Sequence, residues 1–333
     1  MSELKSRHAA TPSPLISIVV PTYNSGRFLG ANLESISAQT ERRWECVVVD
    51  DGSADDSAVI AESFAASDAR FRVVTQPNRG ASAARNAGFR ATDPGSQYVT
   101  FMDSDDVWLP DALETLLGRL EQRPAAIGSH GLAEFIDANG QLVDEGAYSE
   151  RGRRRLGRHG RRLIAWPLDW PTDFDVLING NVLFPPGLLL TRRRIYAAAG
   201  PFDESLSGAE DWDMLIRLSR YGHFEFVNEL ILHYRRHDRN LGAAVSVPKQ
   251  AWVVRCKAFH SPENSPEQRR AAKLGWRAYQ KRLASEAWEL ARVSFACRRF
   301  RGAAMELGRI GAFCARYIRG SPSPRVRSSP LRW

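Results

Sequence analysis

Three clusters of carboxylates in this 333-residue chain have the types and spacing to do chemistry. In Asp103-Ser104-Asp105-Asp106 two acids flank a single residue, directly after the apolar run Tyr98 to Met102. Hard cations such as Mg²⁺ and Mn²⁺ take oxygen ligands and are held by one or two carboxylates together with substrate phosphates. A cation so placed neutralises charge on a departing phosphate group. An isolated Asp-x-Asp triplet more often only caps the next helix, so the other clusters decide. Asp50-Asp51 follows a second apolar run, where a carboxylate can accept hydrogen bonds from the N–H groups of a base. Glu210-Asp211 opens a helical pattern whose Trp212, Leu215, Ile216 and Leu218 mark a buried face. An acid in that first turn is expected to stay ionised at neutral pH through the helix dipole and to act as a general base toward a hydroxyl.

These clusters need a scaffold, and the pattern around them supplies one. Ile16 to Val20, Trp44 to Val49, Phe71 to Thr75 and Tyr98 to Met102 are short apolar, β-branched runs without polar alternation. They predict parallel strands buried on both faces. Helical periodicity separates them at Gly26 to Gln39, Asp55 to Ala66 (with Ser53 as N-cap) and Ala81 to Ala91, and a further helix is expected near Pro110. The expected fold is α/β, a Rossmann-like, mainly parallel sheet flanked by helices, and in such sheets ligands bind at the carboxyl edge. Both acidic pairs of this half fall there. Residues 126–241 are less regular, with a helix from Glu210 to Tyr221. Within them Arg151 to Arg162 holds seven arginines and reads as a mobile loop rather than a core element.

Ile18-Val19-Val20-Pro21-Thr22-Tyr23-Asn24, Val49-Asp50-Asp51-Gly52-Ser53, Asn78-Arg79-Gly80 with Ala84-Arg85-Asn86-Ala87-Gly88, and the Asp103 to Asp106 cluster together resemble the family 2 glycosyltransferases in order and spacing. The resemblance covers roughly residues 15 to 240. It implies a GT-A fold and inverting transfer of a sugar from a nucleotide diphosphate donor, most often a UDP-sugar, with Mn²⁺ or Mg²⁺ as cofactor. By the same resemblance Pro21, Thr22 and Tyr23 pass beside the nucleoside, Asp51 contacts the base, and Arg85 contacts the nucleotide or diphosphate. Asp103 faces the donor sugar and Asp105 binds the metal, while Asp106 binds there or caps the helix. Gly200-Pro201-Phe202-Asp203-Glu204 resembles the segment leading into the family's Glu-Asp motif, so Asp211 matches its catalytic base and Glu210 orients acceptor or base. Tyr234-Arg235-Arg236-His237 resembles a late motif whose histidine returns to the metal, with His233 a competitor. The following Asp238-Arg239-Asn240 departs from the serine-bearing version. Trp166, Trp170 and Trp212 could stack on sugars, and packing is the expectation for Trp212.

The remaining composition is that of a globular chain, 43% hydrophobic and 25% charged. The division expected is a flexible tail (1–14), a nucleotide-sugar half (15–125), an acceptor half (126–241), a basic helical extension (242–320) and a disordered tail (321–333). Residues 250–333 carry 18 Lys/Arg against 5 Asp/Glu, whereas residues 1–249 are mildly acidic. Such a tail suits anionic membrane or nucleic acid, or is simply a solvated helical face. A cytoplasmic enzyme at the inner face of the membrane is expected, acting on a glycan or lipid-linked acceptor in cell-surface glycan synthesis, with nucleic acid the less favoured partner. No run reaches the roughly 18 apolar residues that span a bilayer, and the four cysteines are expected to be reduced and mostly buried. Two other classes compete. A sugar nucleotidyltransferase would carry a Gly-rich, Lys/Arg-bearing loop where Pro21-Thr22-Tyr23-Asn24 stands, and a non-catalytic binding protein would not need the acids.

Overall fold

The apolar runs do become strands, and one sheet carries nearly all of them. The structure, a computed structural model, describes residues 14–143, 146–159, 162–238, 240, 247–297 and 300–319. The expected terminal tails lie outside these residues except for Pro14. The strands are β1 (Ile16–Thr22), β2 (Trp44–Asp50), β3 (Phe71–Thr75), β4 (Tyr98–Phe101), β5 (Val107–Trp108), β6 (Gly128–Ile136), β7 (Leu156–His159), β8 (Arg162–Ala165), β9 (Leu189–Arg192) and β10 (Phe224–Arg235). The helices are α1 (Gly26–Ser37), α2 (Ser57–Ser67), α3 (Ala81–Ala91), α4 (Ala112–Gln122), α5 (Ala147–Arg153), α6 (Phe174–Leu177), α7 (Arg193–Ala199), α8 (Glu210–Leu218), α9 (Val247–His260), α10 (Pro266–Ala296) and α11 (Phe300–Arg319). Eight strands form one sheet in the order β3-β2-β1-β4-β9-β6-β10-β5, and β7 and β8 form a separate hairpin. β3, β2, β1 and β4 pair in parallel, as do β6 and β10, while β9 and β5 run antiparallel to their neighbours.

β1 is buried at every position because alternate residues serve two cores. Ile16, Ile18 and Val20 meet Leu29, Leu33 and Ile36 of α1 and Leu113 and Leu116 of α4 on one face. Val19 joins Val47, Val49, Ala84 and Trp212 on the other. β3 departs from expectation. Only Phe71 is fully buried, since β3 is the sheet's edge and has one neighbour. Ser53 does not cap α2, whose N-cap is Asp56; the Ser53 hydroxyl instead accepts the Asn24 N–H at 3.0 Å. Of the cysteines, Cys46 is buried, but Cys297 is exposed because α10 has left the body by that point. No helix among the described residues is long and apolar enough to cross a membrane.

The arginine-rich segment is not the loop expected of it. It forms the end of α5 and much of the β7–β8 hairpin, and Arg155 is fully buried. The Arg155 guanidinium lies 4.1 Å from the Phe226 ring centroid and donates to Thr172 Oγ1 and to the Trp170 and Pro167 carbonyls. Buried charge is tolerated when it is hydrogen-bonded, and these oxygens take both terminal nitrogens, leaving only Nε without a partner. Trp166 packs over Gly157, where a Cβ would fall 2.1 Å from the indole, so a glycine is required.

α3 crosses β1 and β2 at similar closeness. A Cβ on Gly88 would lie 2.3 Å from Val19 Cγ1 and 3.0 Å from Val49 Cγ2. Gly88→Ala is therefore expected to lower stability by about 1–3 kcal/mol through overpacking, seen as an earlier urea midpoint at unchanged slope.

Candidate active site

The loops after β1, β2 and β4 open on one cleft of about 1800 Å³, lined among others by Pro21, Thr22, Tyr23, Asp51, Asp103 and Asp105. Asn24 turns the first loop in the left-handed region (φ 48°), which asparagine tolerates, and its side-chain oxygen accepts the Ala54 N–H at 2.8 Å. Tyr23 is left half exposed at the rim. Asp51, nearly buried, accepts from Gln76 Nε2 (2.6 Å) and from the N–H groups of Arg79 (2.9 Å) and Gly80 (2.7 Å). It thus shapes the 76–80 loop from within as well as facing the cleft.

The Asp103–Asp106 turn is pinned from two sides. Asn32, buried on α1, donates to the carbonyls of Asp103 and Asp106, both at 2.9 Å. Arg235 donates from Nε to the Asp105 carbonyl and from its backbone N–H to Asp106 Oδ1. Asp106 is therefore a buried anchor and not a helix cap, and burial, with Asp105 and Asp103 nearby, pushes its carboxyl well up. Asp105 points into the cleft, where its Oδ2 lies 2.8 Å from His237 Nε2, and the imidazole stacks on Phe28 at 4.7 Å. His237 and not His233 lines the cleft; His233 sits within β10 opposite Val107.

Arg85 joins the Asp103 turn to the start of α8. It is almost fully buried, donating from Nη2 to Asp103 Oδ1 and from Nη1 to Glu210 Oε1, each at 2.7 Å. Burial pushes the Asp103 carboxyl up, against the opposing pull of Arg85. Expected at a phosphate, this guanidinium is occupied by two carboxylates. The neighbouring Asn86 holds Phe202 through both its backbone groups, which fixes the approach to α8.

Asp211 lies one residue beyond Glu210. Its Oδ2 accepts from Asn181 Nδ2 and its Oδ1 from the Trp212 N–H, each at 2.7 Å. Ala209, before this pair, is held at φ 59°, a strained choice for a residue with a Cβ. Burial, reinforced by the Glu210 charge, lifts the Asp211 carboxyl to about 7. The helix dipole does not outweigh this desolvation, so the expectation that Asp211 is firmly ionised at neutral pH is corrected.

Trp212 packs as expected, its indole N–H donating to the Leu177 carbonyl, and neither Trp166 nor Trp170 lines the cleft. Asn32, Asn181 and Arg235 were not singled out from the sequence. Arg235 sits in the late motif beside His237, a signal that could have found it, whereas Asn181 becomes meaningful only once Asp211 is seen 30 residues away.

No three His, Cys, Asp or Glu side chains among the described residues gather closely enough to hold a metal alone. Asp105 and His237 do meet, with Asp103 on the same turn. A hard cation that completes its shell with substrate phosphates fits that donor set.

Comparison with known proteins agrees with this architecture. Residues 17–176 match the profile of Glycosyl transferase family 2. Glycosyltransferase GlyG of Streptococcus pneumoniae is 40% identical over 244 residues, 69% of this chain and 73% of that one. Chondroitin synthase of Escherichia coli is 28% identical over 227 residues, covering 68% of this chain and 30% of the synthase. Residues 1–349 of Staphylococcus aureus TarS, solved in complex with UDP-GlcNAc, superpose with a TM-score of 0.57 at 15% identity over 92% of both chains. That likeness establishes the GT-A fold.

The bridge makes its own prediction. Arg85→Met leaves Asp103 and Glu210 without their cation, and a loss of about 3–5 kcal/mol in denaturant unfolding is expected. A loss below about 1 kcal/mol would mean the carboxylates rehydrate or protonate freely.

Proposed function

The chain belongs to glycosyl transferase family 2 and is a glycosyltransferase; from that premise we propose that it inverts a UDP-sugar onto an acceptor hydroxyl in cell-surface glycan synthesis. The observation that carries the reading is the convergence, in one cleft, of Asp51, Asp103, Asp105 and His237 with an Asn181-held Asp211. The UDP-GlcNAc bound by TarS supports a UDP donor, although chondroitin synthase and full-length TarS are far longer chains, this one spanning 30% and 43% of them.

In this reading residues 15–125 receive the donor and residues 126–241 the acceptor. Pro21, Thr22 and Tyr23 flank the nucleoside, and Asp51 accepts from its base. Asp105 and His237, with Asp103, would hold Mn²⁺ or Mg²⁺, which neutralises the leaving diphosphate when bound. Asp103 also faces the sugar. Arg85 keeps Asp103 and Glu210 at fixed separation, so its contribution to diphosphate binding is through Asp103. Asp211 takes the proton from the acceptor hydroxyl as that oxygen attacks the anomeric carbon, and one displacement inverts the centre. Glu210 raises the basicity of Asp211 through its charge and orients the acceptor. A carboxyl poised near 7 is well matched to general-base work at neutral pH.

A second reading concerns the extension. Beyond Gln280, α10 packs against α11 and exposes Trp288, Leu290, Val293 and Phe295, with Met305 exposed on α11. Apolar side chains within a strongly basic segment suit an anionic bilayer surface. The hairpin would then bring the cleft to a membrane-borne acceptor.

Asp211→Asn should fold normally and reduce transfer about 10²- to 10⁴-fold. Because only ionised Asp211 can accept the proton, wild-type kcat/KM should rise about tenfold per pH unit below about 7 and level off above it. Retained turnover in the variant, or a profile flat from pH 5 to 8, sinks the base assignment. Chelation should abolish transfer and added Mn²⁺ restore it. Trp288→Ala with Phe295→Ala should lose co-sedimentation with phosphatidylglycerol vesicles while keeping its fold; undiminished binding would remove the membrane reading.

A further inference from the structure

α9 and α10, read from sequence only as a basic extension, also form a wall of the cleft. Arg255 on α9 lines it and is 6% exposed. Its two terminal nitrogens donate to the carbonyls of Ile178 and Asn179, each at 2.9 Å, and its guanidinium lies 4.7 Å from the Trp212 ring and 4.2 Å from the Tyr279 ring. The two carbonyls take its terminal nitrogens without neutralising its charge, its buried Nε has no hydrogen-bond partner, and no carboxylate among the described residues forms an ion pair with it. Arg282, nearly one turn on from Tyr279, stands 5.4 Å from the same ring and also lines the cleft. Its one ion-pair contact among the described residues is a loose 3.5 Å approach to the well-exposed Glu286. Burial and the charge of Arg282 together push Arg255 down to about 10, the mark of a cation short of a counter-charge.

Position makes this imbalance informative. The 178–179 carbonyls that Arg255 holds belong to the loop that delivers Asn181 to Asp211. The two cations therefore line the same cleft as the candidate base, on a wall that the donor-side loops do not build. A buried cation is costly unless paired, and guanidinium pairs best with the planar or tetrahedral oxyanions of carboxylate and phosphate.

We propose that Arg255, Tyr279 and Arg282 form an anion subsite for the acceptor, so that the molecule glycosylated carries a phosphate or carboxylate close to its attacking hydroxyl. The proposal rests on the reading of this cleft as the transfer site. Arg282 reaches the anion from the open side, Tyr279 donates its hydroxyl, and Arg255 supplies charge from behind while holding the loop.

The test uses the full chain with Mn²⁺ and saturating UDP, titrated calorimetrically with glycerol 1-phosphate, glucuronate and, as a neutral control, methyl glucoside. At least one anionic probe should bind the UDP complex, with the neutral sugar weaker by tenfold or more. Arg282→Gln, at a well-exposed position that should not disturb folding, should weaken that probe by about ten- to a hundredfold, the range of a charge-assisted hydrogen bond. Arg282→Lys should recover part of the loss. The two anionic arms tell phosphate from carboxylate. Absence of anion binding, equal binding by Arg282→Gln, or displacement of UDP by the probe overturns the subsite. If UDP with Mn²⁺ fails to bind wild type, the donor reading falls instead, and the probe titration without UDP still decides the subsite.

Discussion

The site is organised by the Arg85 guanidinium, held between Asp103 and Glu210 at 2.7 Å on each side. Asp103 follows β4 and Glu210 opens the helix that bears Asp211, so one buried cation sets the distance between those two acidic turns. Such a triad is unforgiving, because removing any member leaves uncompensated charge out of water. Gly88 matters for the same reason. Lacking a Cβ, it lets α3 lie against Val19 and Val49, and that depth is what allows Arg85, almost one turn earlier, to reach both carboxylates.

The same tension tunes chemistry. Asp103 and Asp211 both sit where desolvation pushes carboxyls up, but only Asp103 has a cation in direct contact. Asp211 has an amide, a backbone N–H and a neighbouring negative charge instead, which leaves it near 7. Two acids in one cleft are thereby given different partners, the usual basis for dividing roles between carboxylates.

How much of this was legible follows from range. The strands β1, β2 and β4, the acidic turns at their ends and the helix opening at Glu210 are legible because apolar runs and local motifs report local structure. β3 was misjudged because edge position is a property of sheet order, which no single run encodes. Arg155 differs from expectation because arginine density signals exposure, whereas the carbonyls that accept from its terminal nitrogens come from residues 167 and 170, brought near only by the fold. Asn32 and Asn181 escaped for a related reason: an asparagine acquires meaning from its partner, 71 or 30 residues away here.

The extension shows why net charge is a poor guide to what a segment does. Its excess of basic residues reads as one property of one tail, yet the structure divides it. The first part of α10 is seated on the body, where Gly275 passes close to Ile178 and Trp276 is buried against Trp252. Here Arg255 of α9 faces inward, toward the cleft and the loop that supports Asp211, while Arg269, Arg270 and Lys273 of α10 stay exposed. The second part meets α11, and its apolar side chains face out. Truncation at residue 242 would therefore remove more than a tether: the Ile178–Asn179 carbonyls would lose Arg255, and Asn181 would lose the support that aims it at Asp211. An activity lost on truncation cannot then be assigned to membrane recruitment alone, and the two roles separate only through substitutions confined to the outward face.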